Sequence, residues 1–309
     1  MNAKVEMDEL MTKQRCYFMT LDPVHIGTGD YRLGRVDNTI VREPGSNLPK
    51  IPGTSLCGAA RSYASQRYNE PKAAGRQHEM TDADKKNSFI VKVFGAATDT
   101  GGGQAGMVSI SDARILFFPV YSLVGPVWVS TYQILNELEF KINVDVPVED
   151  EVLVSGSFGT EKTQINLGWL LLKVKTQCTI TPPSNWPCVK EWQAVQDHIV
   201  IVRDELFSQI VNSNLEVRTS VSISPITGAA EEGALFTYEA IPRATWLWSE
   251  LIVHNYLRNL QSKPDQDPPQ KVVLNGLEMI EYFGVGGMVT RGFGRMRLLS
   301  ERGANDGDR

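Results

Sequence analysis

The chain has 309 residues, of which 42% are hydrophobic and 22% are charged, and its formal net charge is −5 at pH 7. This composition is typical of a globular protein with a sizeable core, and it excludes a membrane span, because no apolar run approaches ~20 residues. The negative net charge argues only weakly against a nucleic-acid partner, since phosphate binding depends on a local basic groove.

The sequence also shows no signal peptide and no paired cysteines. The first 16 residues contain no apolar stretch that could serve as a signal peptide, so we expect a cytoplasmic protein without membrane contact. The four cysteines have no paired spacing and no histidine at zinc-ligand spacing, which predicts free thiols: Cys16, Cys57, Cys178 and Cys188.

The first third of the chain predicts one strand, one helix and a polar excursion. Residues 16–21 are rich in β-forming side chains. Residues 55–68 place apolar side chains at helical spacing, with Thr54 or Ser55 as the expected N-cap. Residues 69–87 are polar, and we expect them to be exposed.

The remaining elements follow from apolar periodicity, β-branched content and turn residues. They are a strand at 108–120, a helix at about 191–212, a hairpin at 218–241 with its turn at 225–228, a strand at 246–257, a helix at 272–283, and a last strand after a glycine-rich turn. Strands and helices mix without regular alternation, which indicates an α+β fold with an antiparallel sheet. Ferredoxin-like βαββαβ units with insertions fit this order.

The glycine-rich segment 284–297 contains five glycines with Arg291, Arg295 and Arg297 among them. Glycine lets a backbone approach a phosphate closely, and arginine supplies a charged fork for the same oxygens. The alternative is a plain turn between a helix and the last strand.

Residues 51–61 form the second candidate segment. A Gly53-Thr54-Ser55 turn that opens a helix offers free N–H groups and the positive end of the helix dipole to an anion. Arg61, about two turns further on, could reach a second phosphate. A well-capped helix with no ligand is equally compatible with this pattern.

Asp37 and the hairpin complete the candidates. A lone aspartate in a loop is most often a turn or capping residue. A long hairpin with an apolar tip could wedge between nucleobases, or it could pack on a neighbouring subunit.

Together these segments resemble the RAMP-superfamily backbone subunits of type III-B (Cmr) CRISPR effector complexes, which are Cas-seven-like proteins. The matching motifs run in the family's order along nearly the whole chain: HIGTG with LGRVDNTIVRE (25–43), IPGTSLCGAAR (51–61), AGMVSISDARILFFPVYSLVG (105–125), EEGALFTYEAIPRAT (231–245) and GVGGMVTRGFGRMRL (284–298).

The resemblance implies a single domain over 1–309 with a ferredoxin-like (RRM-like) palm, a thumb β-hairpin and a fingers-like insertion. The implied boundaries are a palm at about 14–68, 105–214 and 242–300, a polar insertion at about 69–104, a thumb at about 215–241 and a disordered tail at about 301–309.

It also implies the activity. Copies of the chain would form a helical filament on a CRISPR RNA and cleave complementary single-stranded target RNA at regular intervals. The family uses a divalent metal ion, Mg²⁺ or Mn²⁺, and an essential aspartate that corresponds to Asp37, so Asp37 is the implied catalytic and metal-binding residue. His25 and Glu232 lie in matching segments and are possible assistants. The implied protein partners are the large Cas-ten-like subunit, the small subunit and other RAMP subunits of type III complexes.

The segments predicted to bind RNA contribute residues from the helix start, the hairpin and the glycine-rich loop: Gly53, Thr54, Ser55, Gly58, Arg61, Arg218, Gly286, Gly287, Arg291, Gly292, Gly294 and Arg295.

The sequence departs from the family pattern at a few positions. Cys57 stands where lysine is usual, Tyr121 and Val124 stand where basic residues are usual, and Thr39 stands where proline is common. The loop before Asp37 is a residue longer. These departures weaken the implied grip on RNA without affecting Asp37.

Three alternatives remain open from the sequence. The chain could be a scaffold in the same filament without cleaving, a RAMP endoribonuclease that processes the guide precursor alone, or a small-molecule α+β enzyme whose glycine-rich loop holds a phosphate.

Overall fold

The computed structural model describes residues 10–29, 36–96, 103–148, 150–156, 163–255 and 267–299. The tail predicted for 301–309 lies outside these residues. In the described part of the chain, no helix is both long and apolar enough to cross a membrane.

Fifteen strands are assigned among the described residues: β1 (Met11–Thr20), β2 (Lys50–Ile51), β3 (Val108–Ile110), β4 (Ala113–Ser122), β5 (Gly125–Thr131), β6 (Lys141–Ile142), β7 (Glu151–Ser155), β8 (Gln164–Leu167), β9 (Leu170–Cys178), β10 (Ile180–Thr181), β11 (Ile199–Val202), β12 (Glu216–Ile223), β13 (Ala230–Ala240), β14 (Trp246–His254) and β15 (Met296–Leu299). The α-helices are α1 (Gly53–Arg67), α2 (Asp82–Asn87), α3 (Phe89–Phe94), α4 (Tyr132–Glu137), α5 (Val189–Val195), α6 (Asp204–Ser213), α7 (Pro269–Glu278) and α8 (Ile280–Phe283).

One large sheet organises the molecule, with the strand order β15-β1-β14-β4-β5-β11-β7-β9-β8. Its longest pairing is antiparallel, between β1 and β14, with Met11 opposite His254 and Met19 opposite Trp246. Two neighbouring pairs, β5 with β11 and β7 with β9, are parallel. The predicted α+β fold with a mostly antiparallel sheet is therefore confirmed.

Helices α1 and α7 cover one face of the sheet. Successive residues of β1 point to opposite faces, so Phe18 enters the core under these helices while Tyr17 enters a second core. The two helices touch at Gly276, where an added Cβ would lie 2.2 Å from the Ala60 carbonyl oxygen. Only glycine fits at this crossing.

The other face is covered by an aromatic cluster that the sequence did not predict as a unit. Trp186 and Trp192 come from the segment around α5, Phe140 follows α4, and Phe117 and Trp246 come from β4 and β14. The Trp186 and Trp246 rings stack with centroids 6.4 Å apart. Aromatic side chains of this size bury enough apolar area to make this second core substantial.

The helix predicted at 191–212 is wrong. The segment instead forms α5, the strand β11 and α6. All four residues of β11 are buried, between β5 and β7. They are consecutive β-branched residues, which favour strands. Ile199 and Val202 also coincide with apolar positions of the helical pattern on either side.

Three smaller predictions are corrected. The strand predicted at 108–120 is two strands, β3 and β4, interrupted before Ala113. Helix α1 begins at Gly53 after Pro52, with no side-chain cap from Thr54 or Ser55. The segment at 69–87 is partly helical and packs against α1, with Ala73 fully buried, so it is not simply an exposed excursion.

The helix predicted at 272–283 begins earlier, at Pro269, and is divided at Met279 into α7 and α8. The predicted hairpin is confirmed: β12 and β13 form a separate two-stranded sheet in the described structure, and Asn38 adds an isolated bridge to Tyr238 of β13.

Candidate nucleic-acid interface

The β12–β13 hairpin carries apolar side chains that contact little else. Val221, Ile223, Ile226 and Leu235 are exposed, and Ile226 near the turn is 93% exposed. Exposing a row of large apolar side chains costs free energy, so a hairpin of this kind indicates a binding element.

Asp37 lies beside the hairpin, bonded to Thr237 of β13. The Thr237 hydroxyl and backbone N–H both donate to Asp37 Oδ2, at 2.8 and 2.9 Å. The backbone N–H of Asp37 donates in return to Thr237 Oγ1 at 2.9 Å. These bonds, first from the backbone N–H and then from the hydroxyl, lower the pKa of Asp37. Asp37 is therefore a fixed, half-buried carboxylate that stays ionised at neutral pH.

The chain on either side of Asp37 is fastened to the same strand. Asn38 N–H donates to Thr237 O, and Glu239 N–H donates to Asn38 O, both at 3.0 Å. The Glu239 carboxylate accepts from Ile40 N–H at 3.2 Å and from Arg42 Nη2 at 2.6 Å. Glu239 is only 8% exposed. An ion pair between the buried carboxylate of Glu239 and the partly buried guanidinium of Arg42 thus joins the base of the hairpin to residues 37–42.

Sequence reasoning missed Thr237, Glu239 and Arg42. Arg42 lies in the 25–43 motif, and the other two lie in the 231–245 motif. The opposite charges of Arg42 and Glu239 were the available signal for their pairing.

His25 lies on the inner side of this junction. Its ring is buried, and Nδ1 donates to the Glu239 carbonyl oxygen at 2.6 Å, because a carbonyl oxygen can only accept. The ring meets Tyr238 edge-on, with centroids 5.8 Å apart. This geometry gives His25 a positioning role, and its help in catalysis stays a prediction. The Glu232 side chain lies outside the described part of the structure.

The glycine-rich loop packs directly on residues 23–26. Gly287 N–H donates to His25 O at 2.9 Å, and Gly294 N–H donates to Pro23 O at 2.8 Å. Gly286 has φ +85°, and a Cβ there would lie 2.5 Å from His25 O. Close packing therefore accounts for Gly286, while Gly292 faces open space. Their contact with RNA stays a prediction.

The predicted arginines differ in how available they are. Arg295 is paired with Asp22, at 2.5 and 3.2 Å. Arg218 pairs with Glu216 at 2.5 Å and lies over the Phe293 ring, which links the hairpin to the glycine-rich loop. Arg291 is exposed, and within the described ranges no carboxylate forms an ion pair with it.

A groove separates Arg291 from the hairpin. It has a volume of about 520 Å³ and is lined by one cation, two aromatic rings, two serines and a valine: Arg291, Phe236, Tyr238, Ser220, Ser222 and Val221. Aromatic rings with a neighbouring arginine are typical of surfaces that hold single-stranded nucleic acid.

The start of α1 does not present the free anion site that its sequence suggested. Asp112 Oδ1 accepts from Gly53 N–H at 2.8 Å, and Asp112 Oδ2 pairs with Lys50 at 2.5 Å. A carboxylate of the chain thus occupies the first N–H of the helix. Thr54 and Gly58 are exposed on its outer surface, and Ser55 is half-buried.

Arg61, two turns into α1, donates from Nε to the Ala73 carbonyl oxygen at 2.8 Å. Its Nη2 is buried without a hydrogen-bond partner among the described residues. Arg61 therefore holds the segment that follows α1, and its reach to a phosphate stays a prediction.

Replacing Thr237 by valine tests the electrostatics of Asp37. The change removes the hydroxyl donor and keeps the backbone donor, so we expect the pKa of Asp37 to rise toward its usual value. Because a lowered pKa keeps the carboxylate ionised in mild acid, the protonation of Asp37 is expected to move to higher pH in the variant. NMR titration of the Asp37 carboxyl carbon in the variant and in the parent protein measures this shift, and Thr219→Val, on the neighbouring strand, is the control. Superimposable titration curves would contradict it.

Known proteins resemble this chain over most of its length. The CRISPR system Cmr endoribonuclease Cmr4 of Pyrococcus furiosus is 27% identical over 303 residues, covering 93% of this chain and 95% of the relative. A type III-B Cmr-beta complex bound to cognate target RNA contains a chain that matches with a TM-score of 0.65 at 16% identity, covering 94% and 98%. An oligomeric Cmr4 crystal structure from Pyrococcus furiosus matches with a TM-score of 0.58 at 22% identity, covering 93% and 98%.

At these identities the two structural likenesses show the shared fold. The family itself follows from a match of residues 17–297 to the model described as the RAMP superfamily. With that match across nearly its whole length, the chain belongs to the RAMP superfamily.

Proposed function

We propose that this chain is a CRISPR RNA-binding backbone subunit of a type III effector complex that cleaves complementary target RNA at regular intervals. The observation that carries the proposal is the ionised carboxylate of Asp37, bonded to Thr237 at the base of an exposed apolar hairpin. The relative named Cmr endoribonuclease, aligned over 93% of the chain, supports the same activity.

Cleavage of an RNA linkage requires little more than the correct alignment of the groups that react. RNA carries its own nucleophile, the 2′-hydroxyl, so a linkage bent into line with its leaving group is already close to reaction. In our proposal the hairpin intrudes between bases and distorts one linkage, and Asp37 lies next to it. The lowered pKa of Asp37 makes its carboxylate a weak proton acceptor, which favours a role as a cation ligand over a role as general base.

A divalent ion, Mg²⁺ or Mn²⁺, fits this carboxylate. In the described residues, no group of three or more acidic, histidine or cysteine side chains could hold a metal on its own. Mg²⁺, however, is commonly bound by one or two carboxylates together with substrate phosphates. Asp37 with the RNA would form such a site, and the ion would supply positive charge for the developing phosphorane and leaving group.

The glycine-rich loop, the exposed residues Thr54 and Gly58 of α1, and Arg218 would hold the guide through its backbone, and the exposed Arg291 would add a further positive charge. The bases would be read by pairing with the guide, so recognition by the protein depends on shape and phosphates. Copies of the chain, together with the large, small and other RAMP subunits, would complete a cytoplasmic complex.

A non-catalytic scaffold is the second candidate. Two observations favour it: the described residues hold no group of three or more His, Cys, Asp or Glu side chains that could bind a metal ion, and His25 is buried with Nδ1 committed to Glu239.

The experiment is to isolate the complex assembled on a defined guide and supply a labelled complementary RNA with Mg²⁺. We expect a ladder of products with one constant interval. A scaffold predicts protection of the target without a ladder. A guide-processing enzyme predicts cleavage of precursor RNA by the isolated chain, without guide or partners.

A further inference from the structure

Two aromatic side chains at the end of α8 stand open to solvent. Tyr282 is 71% exposed and Phe283 is 51% exposed. They are adjacent in sequence and immediately precede the glycine-rich loop, which begins at Gly284. Neither belongs to the hairpin or to the Asp37 junction, and neither is explained by the core.

The pair is held in place rather than left loose. Gly284, with φ +73°, ends the helix, and its N–H donates to Ile280 O at 3.0 Å. The Tyr63 hydroxyl, from α1, lies 3.0 Å from Phe283 O and 2.7 Å from Gly284 O and donates to these carbonyl oxygens. The rings of Tyr63 and Phe283 also pack, with centroids 5.4 Å apart and planes tilted by 35°. Helix α1 therefore fixes the end of α8.

The charges around the pair cancel. Glu281 is paired with Arg297 at 2.8 Å, and Glu278 is paired with Arg67 at 3.4 Å. The two neighbouring carboxylates are thus neutralised, and this surface does not repel a polyanion.

We propose that Tyr282 and Phe283 form a stacking platform for one or two bases of the bound single-stranded RNA. The inference rests on the proposed function. It follows from the position of the rings at the start of the glycine-rich loop, the element that would hold the sugar–phosphate chain, where Tyr63 of α1 fixes them. Stacking on aromatic rings tolerates any base, because every base has a flat π-face. A platform of this kind therefore suits a guide whose sequence varies.

Stacking and phosphate binding are separable by experiment. The full-length chain is titrated with a single-stranded RNA oligonucleotide and with an abasic sugar–phosphate strand of the same length, at several salt concentrations. The variants are Tyr282→Ala with Phe283→Ala, the aromatic control Tyr282→Phe with Phe283→Tyr, and Arg291→Ala. Melting temperature checks that each variant is folded, and Tyr282→Ala alone repeats the test without touching the Tyr63 contact.

The double alanine variant is expected to lose about tenfold in RNA affinity for each base that stacks, with affinity for the abasic strand unchanged. Its salt dependence is expected to equal that of the parent chain, whereas Arg291→Ala is expected to flatten the slope by about one contact. The aromatic control is expected to bind like the parent.

The outcomes distinguish a failure of the proposed function from a failure of the stacking platform. If the parent chain binds neither strand, alone or in its complex, the proposed function fails. If the parent binds RNA and the double alanine variant binds it equally well, the platform is overturned. Normal RNA binding with lost association between protein copies would overturn it as well and would make the pair a protein contact.

Discussion

Replacing Asp37 by alanine in the assembled complex is expected to lower the rate of target-RNA cleavage by about 100-fold or more, while guide and target remain bound. The magnitude is that of removing a positioned acid–base or metal-binding carboxylate. The change removes the ionised group that Thr237 holds beside the hairpin. Single-turnover cleavage rates on a labelled target RNA measure this decrease.

Two companion variants separate charge from structure. Asp37→Asn keeps an oxygen that can accept from Thr237, so it is expected to preserve the junction and still lose cleavage. Asp145→Ala removes an exposed carboxylate on another part of the surface and is expected to leave the rate unchanged. Cleavage at every interval by the Asp37→Ala complex would mean that this subunit is a scaffold.

Replacing Glu239 by alanine is expected to lower the free energy of unfolding by about 3 kcal/mol, the size expected when one member of a buried ion pair is removed. Glu239 is 8% exposed and accepts from both Arg42 and Ile40 N–H. Its loss leaves Arg42 Nη2 and the Ile40 N–H without their acceptor. Urea denaturation of the parent and the variant measures the difference.

The matched control is Glu278→Ala, which breaks the exposed pair with Arg67. An exposed pair contributes about 0–1 kcal/mol, so this variant is expected to be close to the parent. The double variant Arg42→Leu with Glu239→Leu is expected to lose less stability than Glu239→Ala, because no charge is left buried and unpaired. Equal stability of Glu239→Ala and Glu278→Ala would contradict the role of the junction.

Local patterns in the sequence were sufficient for some elements. The turn residues at Pro225–Gly228 between two strand-like stretches predicted the hairpin, and the apolar spacing after Gly53 predicted α1. They failed at β11, where Ile199 and Val202 continue a helical pattern although all four residues are buried between the distant strands β5 and β7. Only tertiary pairing distinguishes a strand from a helix there.

The candidate site, like the fold, was only partly predictable from the sequence. Resemblance pointed to Asp37, but the partner that fixes its charge, Thr237, is 200 residues away, and no local signal connects the two. The Gly53 N–H appeared free because its acceptor, Asp112, follows a different strand. Charges on Arg295 and Arg218 suggested cations open to RNA, and each has a carboxylate partner.

The position of Asp37 is set from the far side of the chain. The backbone N–H and the carboxylate of Asp37 are both hydrogen-bonded to Thr237. Asn38 is hydrogen-bonded to Thr237 and Glu239 of the same strand. Because both the backbone and the carboxylate of Asp37 are bonded to β13, a tilt of the hairpin is expected to move the carboxylate with it. Any partner that reorients the hairpin would therefore also reorient the charged group at its base.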